Sequence, residues 1–103
     1  MIKGTDRIIK NEERLDTISA GLKRLEDALN ELQDNKKKLY LLNKYYGSKS
    51  WFQDKEDYEN DRIPKVKAGV LSEDAVWNLN EKLNEVIKQM EFLTKEYSQE
   101  KNK

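Results

Sequence analysis

Residues 54–61, Asp-Lys-Glu-Asp-Tyr-Glu-Asn-Asp, crowd five carboxylates into eight positions, the only stretch dense enough in acid to suggest a metal site. A calcium loop needs glycine at its sixth position and glutamate at its twelfth, and a loop starting at Asp54 or Asp57 has neither. On a helix, Asp57 with Asp61, or Glu56 with Glu59, would share one side and could hold a cation. Paired acids are also ordinary on a solvated helix face, which is the expectation adopted. A metal-dependent hydrolase built on these acids is the weakest of three functional readings. The complementary chemistry lies at 35–38, Asn-Lys-Lys-Lys, where Lys36, Lys37 and Lys38 could touch phosphate together with Lys44. Tyrosines beside them within 35–44 and just beyond could stack on bases. Three consecutive lysines spread around a helix instead of forming a patch, and the chain carries 20 basic and 20 acidic side chains. A nucleic-acid-associated protein is therefore the alternative reading, and nucleic acid is not the expected partner.

Other catalytic chemistries lack their residues. The chain has no cysteine and no histidine, which removes disulfides, thiolate nucleophiles, the commonest general base and the commonest transition-metal ligand. No glycine-rich phosphate loop, serine-centred triad or nucleotide fingerprint is present. The expectation is a protein that is not an enzyme, with no catalytic residue, no cofactor and no metal ligand.

What would position any such residues is a helical frame. Ile8, Leu15, Ile18, Leu22, Leu25, Leu29 and Leu32 follow steps of three and four after an initial seven, with Asn11 in the gap. Val76, Leu79, Leu83, Val86, Met90, Leu93 and Tyr97 keep the same rhythm without a miss. Each set forms one narrow apolar stripe, the pattern of a coiled-coil seam. At 39% charged and 36% apolar, the composition suits long helices with solvated outer faces. The spacing predicts a single all-α domain over 1–103: a long first helix over 5–46 capped by Thr5 or Asp6, a cap helix and loop over 48–71, a second long helix over 72–98, and a frayed tail over 99–103. The two long helices are expected to form an antiparallel, coiled-coil-like hairpin closed by a short, aromatic-rich helical cap.

Local signals mark the joints. Gly47 reads as a C-terminal glycine cap, Ser48 or Ser50 as the start of a short helix to about Asn60, and Pro64 pushes Ile63 toward extended backbone. In Lys-Ala-Gly-Val-Leu-Ser-Glu-Asp-Ala-Val-Trp-Asn-Leu (67–79), Ser72 is a good N-cap with Glu73 and Asp74 behind it, where the helix dipole favours acids. Leu71 and Val76 are spaced for a hydrophobic staple. Trp77 falls one place past the seam and is expected to pack under the aromatic cap.

A lone hairpin with one seam per arm buries little apolar area. Self-association into a dimer, an antiparallel four-helix bundle, is therefore expected, using Ile18, Gly21, Leu22, Leu25, Ala28 and Leu29, with the small residues Gly21 and Ala28 flanking the seam. The leading functional reading is a non-enzymatic protein–protein interaction or regulatory adaptor module. Its candidate partner-binding residues are Tyr45, Tyr46, Trp51, Phe52, Trp77 and Phe92, the last lying opposite the seam. No apolar run is long enough for a signal peptide or a membrane span, so a cytoplasmic protein without a membrane partner is expected.

Two segments carry a family likeness: Leu39–Asp57, with a tyrosine pair, Gly-Ser and tryptophan, and Ile63–Leu79, with proline, Gly-Val-Leu-Ser-Glu-Asp and an aromatic. They resemble a small bacterial family, domain of unknown function 4298, over residues 39–79. The chain departs from the pattern at Ala68, where an arginine is expected before Gly69. The resemblance implies a cytoplasmic bacterial protein and brings no activity with it.

Overall fold

The structure, a computed structural model, describes residues 3–101. Four α-helices, one 3-10 turn and no strand occur among them: α1 (Lys3–Asp34), α2 (Lys36–Tyr45), α3 (Lys49–Glu59) and α4 (Ala75–Lys101). The protein is all-α, in the expected order of long helix, aromatic cap and long helix. Packing divides it into two compact units, Met1–Leu39 and Tyr40–Lys103.

The first unit is essentially α1, 32 residues and about 48 Å long. It begins at Lys3, so Thr5 and Asp6 lie inside its first turn and do not cap it. Asp6 still places its carboxylate beside the unpaired amides of the N-terminus, where negative charge is favoured. Asn11, the polar residue of the stripe, is held by its own helix. Its Nδ2 donates to the Arg7 carbonyl (2.8 Å) and its Oδ1 accepts from Arg14 (3.1 Å). No residue of α1 is buried, and its stripe is open from Ile8, 64% exposed, to Leu32, 41% exposed.

The continuous first helix expected over 5–46 is interrupted at Asn35. There the amide is shared between the carbonyls of Glu31 (3.1 Å) and Leu32 (3.2 Å), a mixture of i−4 and i−3 bonding that tightens the turn by one residue. The Asn35 carbonyl then accepts from Leu39 (3.0 Å), so α2 follows at once.

In the second unit the chain reverses through short, well-capped joints. Gly47, at φ +77°, takes the left-handed conformation that ends α2. Ser48 caps α3 by accepting the Trp51 amide at 3.2 Å. At the far end of α3 the left-handed residue is Asp61 (φ 57°). Arg62 donates its amide to the Asp57 carbonyl (2.8 Å) and Asp61 donates to Tyr58 (3.3 Å), the two bonds of a Schellman motif with aspartate where glycine is usual. After Pro64 comes the 3-10 turn Gly69–Leu71, and Ser72 Oγ then accepts the Ala75 amide (3.1 Å) to open α4. The cap is the one expected. The regular helix starts three residues later, leaving Glu73 and Asp74 in the turn before it.

The buried core among the described residues is Trp51, Leu71 and Val76. Leu71 and Val76 occupy the two staple positions, and α3, which carries Trp51, packs against the 3-10 turn that ends at Leu71. Along α4, Leu83, Val86 and Met90 are half-buried while Leu79, Leu93 and Tyr97 are exposed. The helix continues through 99–101, part of the expected frayed tail; residues 102–103 lie outside the described residues. No described helix is long and apolar enough to cross a membrane.

Candidate functional site

The chemistry-bearing residues gather in the aromatic cap, around the side chain that α3 presents from its first turn. Trp51 is 3% exposed, and its indole Nε1–H donates to the Val70 carbonyl at 2.9 Å. That bond satisfies the one polar atom of an otherwise apolar body, which lets the ring be buried at little cost. Tyr46 meets it edge-on at 5.3 Å between ring centroids, and Phe52 does so at 4.9 Å. Lys55 places its ammonium 5.3 Å from the indole and pairs with Glu73 at 3.2 Å, joining α3 to the residues that precede α4.

The two tyrosines at the end of α2 spend their hydroxyls inside the cap. Tyr46 donates to the Glu73 carbonyl. Tyr45 donates to Asp54 Oδ2 at 2.7 Å. That hydrogen bond, helped by partial burial and by the carboxylate's charge, pushes the Tyr45 phenol from its ordinary 10.0 up to about 12. A further joint had no local signal in the sequence. Asn43 and Asn80 exchange amide hydrogen bonds (3.2 and 2.8 Å), and Asn80 also donates to the Val76 carbonyl (2.9 Å). The pair ties α2 to α4 across 37 residues.

Of the six candidate partner-binding residues, Tyr45, Tyr46 and Trp51 are therefore directed into the cap, and Trp51 is withdrawn from the surface. Phe52, Trp77 and Phe92 are open, at 60%, 58% and 64% exposed. The exposure of Trp77 corrects the expectation that it packs beneath the cap. It lies about 100° around the helix from Val76, and it is Val76 that faces the core with Leu71 and Trp51.

Four of the five carboxylates in the acidic run have partners within the chain. Asp54 accepts from Tyr45, Asp57 pairs with Arg62 (3.2 Å) and accepts from Gln53 (3.0 Å), Glu56 also pairs with Arg62 (3.6 Å), and Asp61 pairs with Lys65 (3.0 Å). Among the described residues no group of three or more acids converges as a metal site would require. Lys36, Lys37, Lys38 and Lys44 are exposed.

The second candidate surface is the α1 stripe. Ile18, Leu22, Leu25 and Leu29 are exposed along it, with Ala28 exposed and Gly21 half-buried on its flank. A methyl added at Gly21 would meet only the Arg24 guanidinium, at an ordinary 3.8 Å.

Searches among curated proteins and among solved structures found no match. The family model described as Domain of unknown function (DUF4298) matches residues 8–94, taking in most of α1 and α4 as well as the 39–79 segment that carries the sequence likeness, and the chain belongs to that family.

Proposed function

We propose that the chain is a non-enzymatic protein–protein interaction module, a small cytoplasmic adaptor, and that its first partner is a second copy of itself. One observation carries this reading: the stripe Ile8–Leu32 of α1, seven large aliphatic side chains in a single row, is open to water. Fully burying one such side chain is worth ~1.5–3 kcal/mol, so a chain that leaves seven of them wet has a strong drive to cover them. The room at Gly21 allows a neighbouring helix to come close on that flank. With the α1 stripe occupied by the dimer, Phe52, Trp77 and Phe92, three of the exposed aromatics beside Tyr40 and Tyr97, are left to meet other proteins.

The nucleic-acid alternative gains no support from the cap, since the Tyr45 and Tyr46 hydroxyls and the Trp51 indole are all engaged within it.

Light scattering on a gel-filtration peak, run at several concentrations, tests the first step. The expected mass is twice 12.2 kDa, falling to one chain in Leu22→Glu. A wild-type monomer at every concentration overturns it. Affinity capture from the native host tests the adaptor role, which fails if only the protein itself is repeatedly recovered.

A further inference from the structure

We infer that the dimer is made by α1 pairing with α1 of a second copy in parallel and in register. This rests on the self-association reading above and departs from the antiparallel bundle expected from the seams alone. The argument comes from what borders the stripe. Ile8, Leu15, Leu22 and Leu29 are its first-type positions, and Asn11, Ile18, Leu25 and Leu32 its second. One edge of the stripe then carries Arg7, Arg14, Gly21 and Ala28; the other carries Glu12, Ser19, Glu26 and Gln33. Each charged row has a single sign.

In a parallel pair, each residue of the first edge faces a residue of the second edge, five further along, on the other helix. Arg7 meets Glu12 of the second copy, twice by symmetry, and Arg14 meets Ser19. Gly21 meets Glu26, Ala28 meets Gln33, and no like charges face each other. In an antiparallel pair, each edge lies beside its own kind. Basic faces basic or small and acidic faces acidic or neutral, so no antiparallel register gains an attractive pair. The antiparallel register that uses the whole stripe also sets Glu12 beside Glu26 of the second copy, twice.

Asn11 points the same way. In the parallel arrangement it opposes Asn11 of the second copy, where two amides can hydrogen-bond to each other and neither faces an apolar side chain. In the whole-stripe antiparallel register it would oppose Leu29, leaving a polar group against an apolar one. Its Nδ2 already has the Arg7 carbonyl as acceptor within its own helix, which lowers the cost of seating it in a seam. Arg7 and Arg14 therefore do more than solvate α1; with Glu12 and Asn11 they set its orientation on a partner helix.

The absence of cysteine makes the test clean. In a parallel, in-register dimer, Leu25→Cys places the two thiols opposite each other, within the Cα separation a disulfide spans. Mild oxidation should convert Leu25→Cys to a covalent dimer, whereas mixing it with Leu15→Cys should add no mixed dimer. In the whole-stripe antiparallel pair residue 25 lies level with residue 15, so the reverse pattern, mixed dimers only, overturns the inference and leaves dimerisation standing. A charge swap gives an independent readout. Arg7→Glu should weaken the dimer on the order of fivefold at low salt, and adding Glu12→Arg in the same chain should restore it. Absence of that restoration overturns the inference as well. A wild-type monomer in light scattering removes the self-association reading itself, so the two failures are distinct.

Discussion

Replacing Trp51 by alanine should undo the cap. Only Trp51, Leu71 and Val76 are buried among the described residues, and Trp51 is much the largest. Large aromatic-to-alanine changes in a core cost about 3–5 kcal/mol. Here the loss has separable parts: the hydrogen bond from Nε1 to the Val70 carbonyl, worth ~1 kcal/mol net, and the edge-on contacts with Tyr46 and Phe52, worth ~0.5–1.5 kcal/mol each. The rest is apolar area. Against the roughly 5–15 kcal/mol by which domains are usually stable, that is a large share of the reserve. Urea unfolding by circular dichroism, at one fixed protein concentration, measures the difference. Trp51→Phe keeps most of the ring but loses the indole donor, and should fall between wild type and Trp51→Ala, about 1–2 kcal/mol down. Fluorescence checks the geometry separately. Trp51→Phe leaves only Trp77, 58% exposed, and should emit at long wavelength with easy quenching; Trp77→Phe leaves only the buried indole and should emit to the blue. A loss below about 1 kcal/mol in Trp51→Ala, or emission maxima in the opposite order, would refute the account of the cap.

Tyr45 should ionise well above the ordinary range of a phenol. Its folded-state value of about 12 lies above the ordinary 10.0, so the native state holds the proton more tightly, and the stability this gives is complete below pH 10 and lost between pH 10 and 12. Absorbance titration of wild type against Asp54→Asn reads this directly, because the variant removes the carboxylate acceptor and brings the phenol back toward 10. Asp61→Gly should stabilise the protein by about 0.5–1 kcal/mol in thermal unfolding, since glycine takes the left-handed conformation freely and the lost ion pair with Lys65 is exposed. Ser72→Ala should cost ~1 kcal/mol in the same assay, by leaving the Ala75 amide without its acceptor.

Much of the frame is legible one residue at a time because its causes are local. Gly47 stops α2, Ser48 starts α3 and Ser72 starts α4 through bonds that span three residues or fewer, or through a single backbone angle. The heptad stripes and their charged edges follow from helical periodicity alone, and the lack of cysteine and histidine excludes whole chemistries before any fold is known. Some local features still escaped. Asp61 took the left-handed position usually given to glycine, and Asn35 divided the helix expected over 5–46. Both depend on backbone bonding that residue type signals weakly.

The cap was decided by chain reversal. Choosing Trp51 over Trp77 for the core required knowing that α3 returns onto the 3-10 turn Gly69–Leu71. The Tyr45–Asp54, Tyr46–Glu73 and Asn43–Asn80 bonds join residues 9, 27 and 37 apart, beyond the reach of any helical period. Tyrosine, asparagine and aspartate suit exposed and buried settings alike, so their residue types do not announce such partners. Periodicity says which face of a helix is apolar; only the path of the chain between helices says which side chains that face will meet.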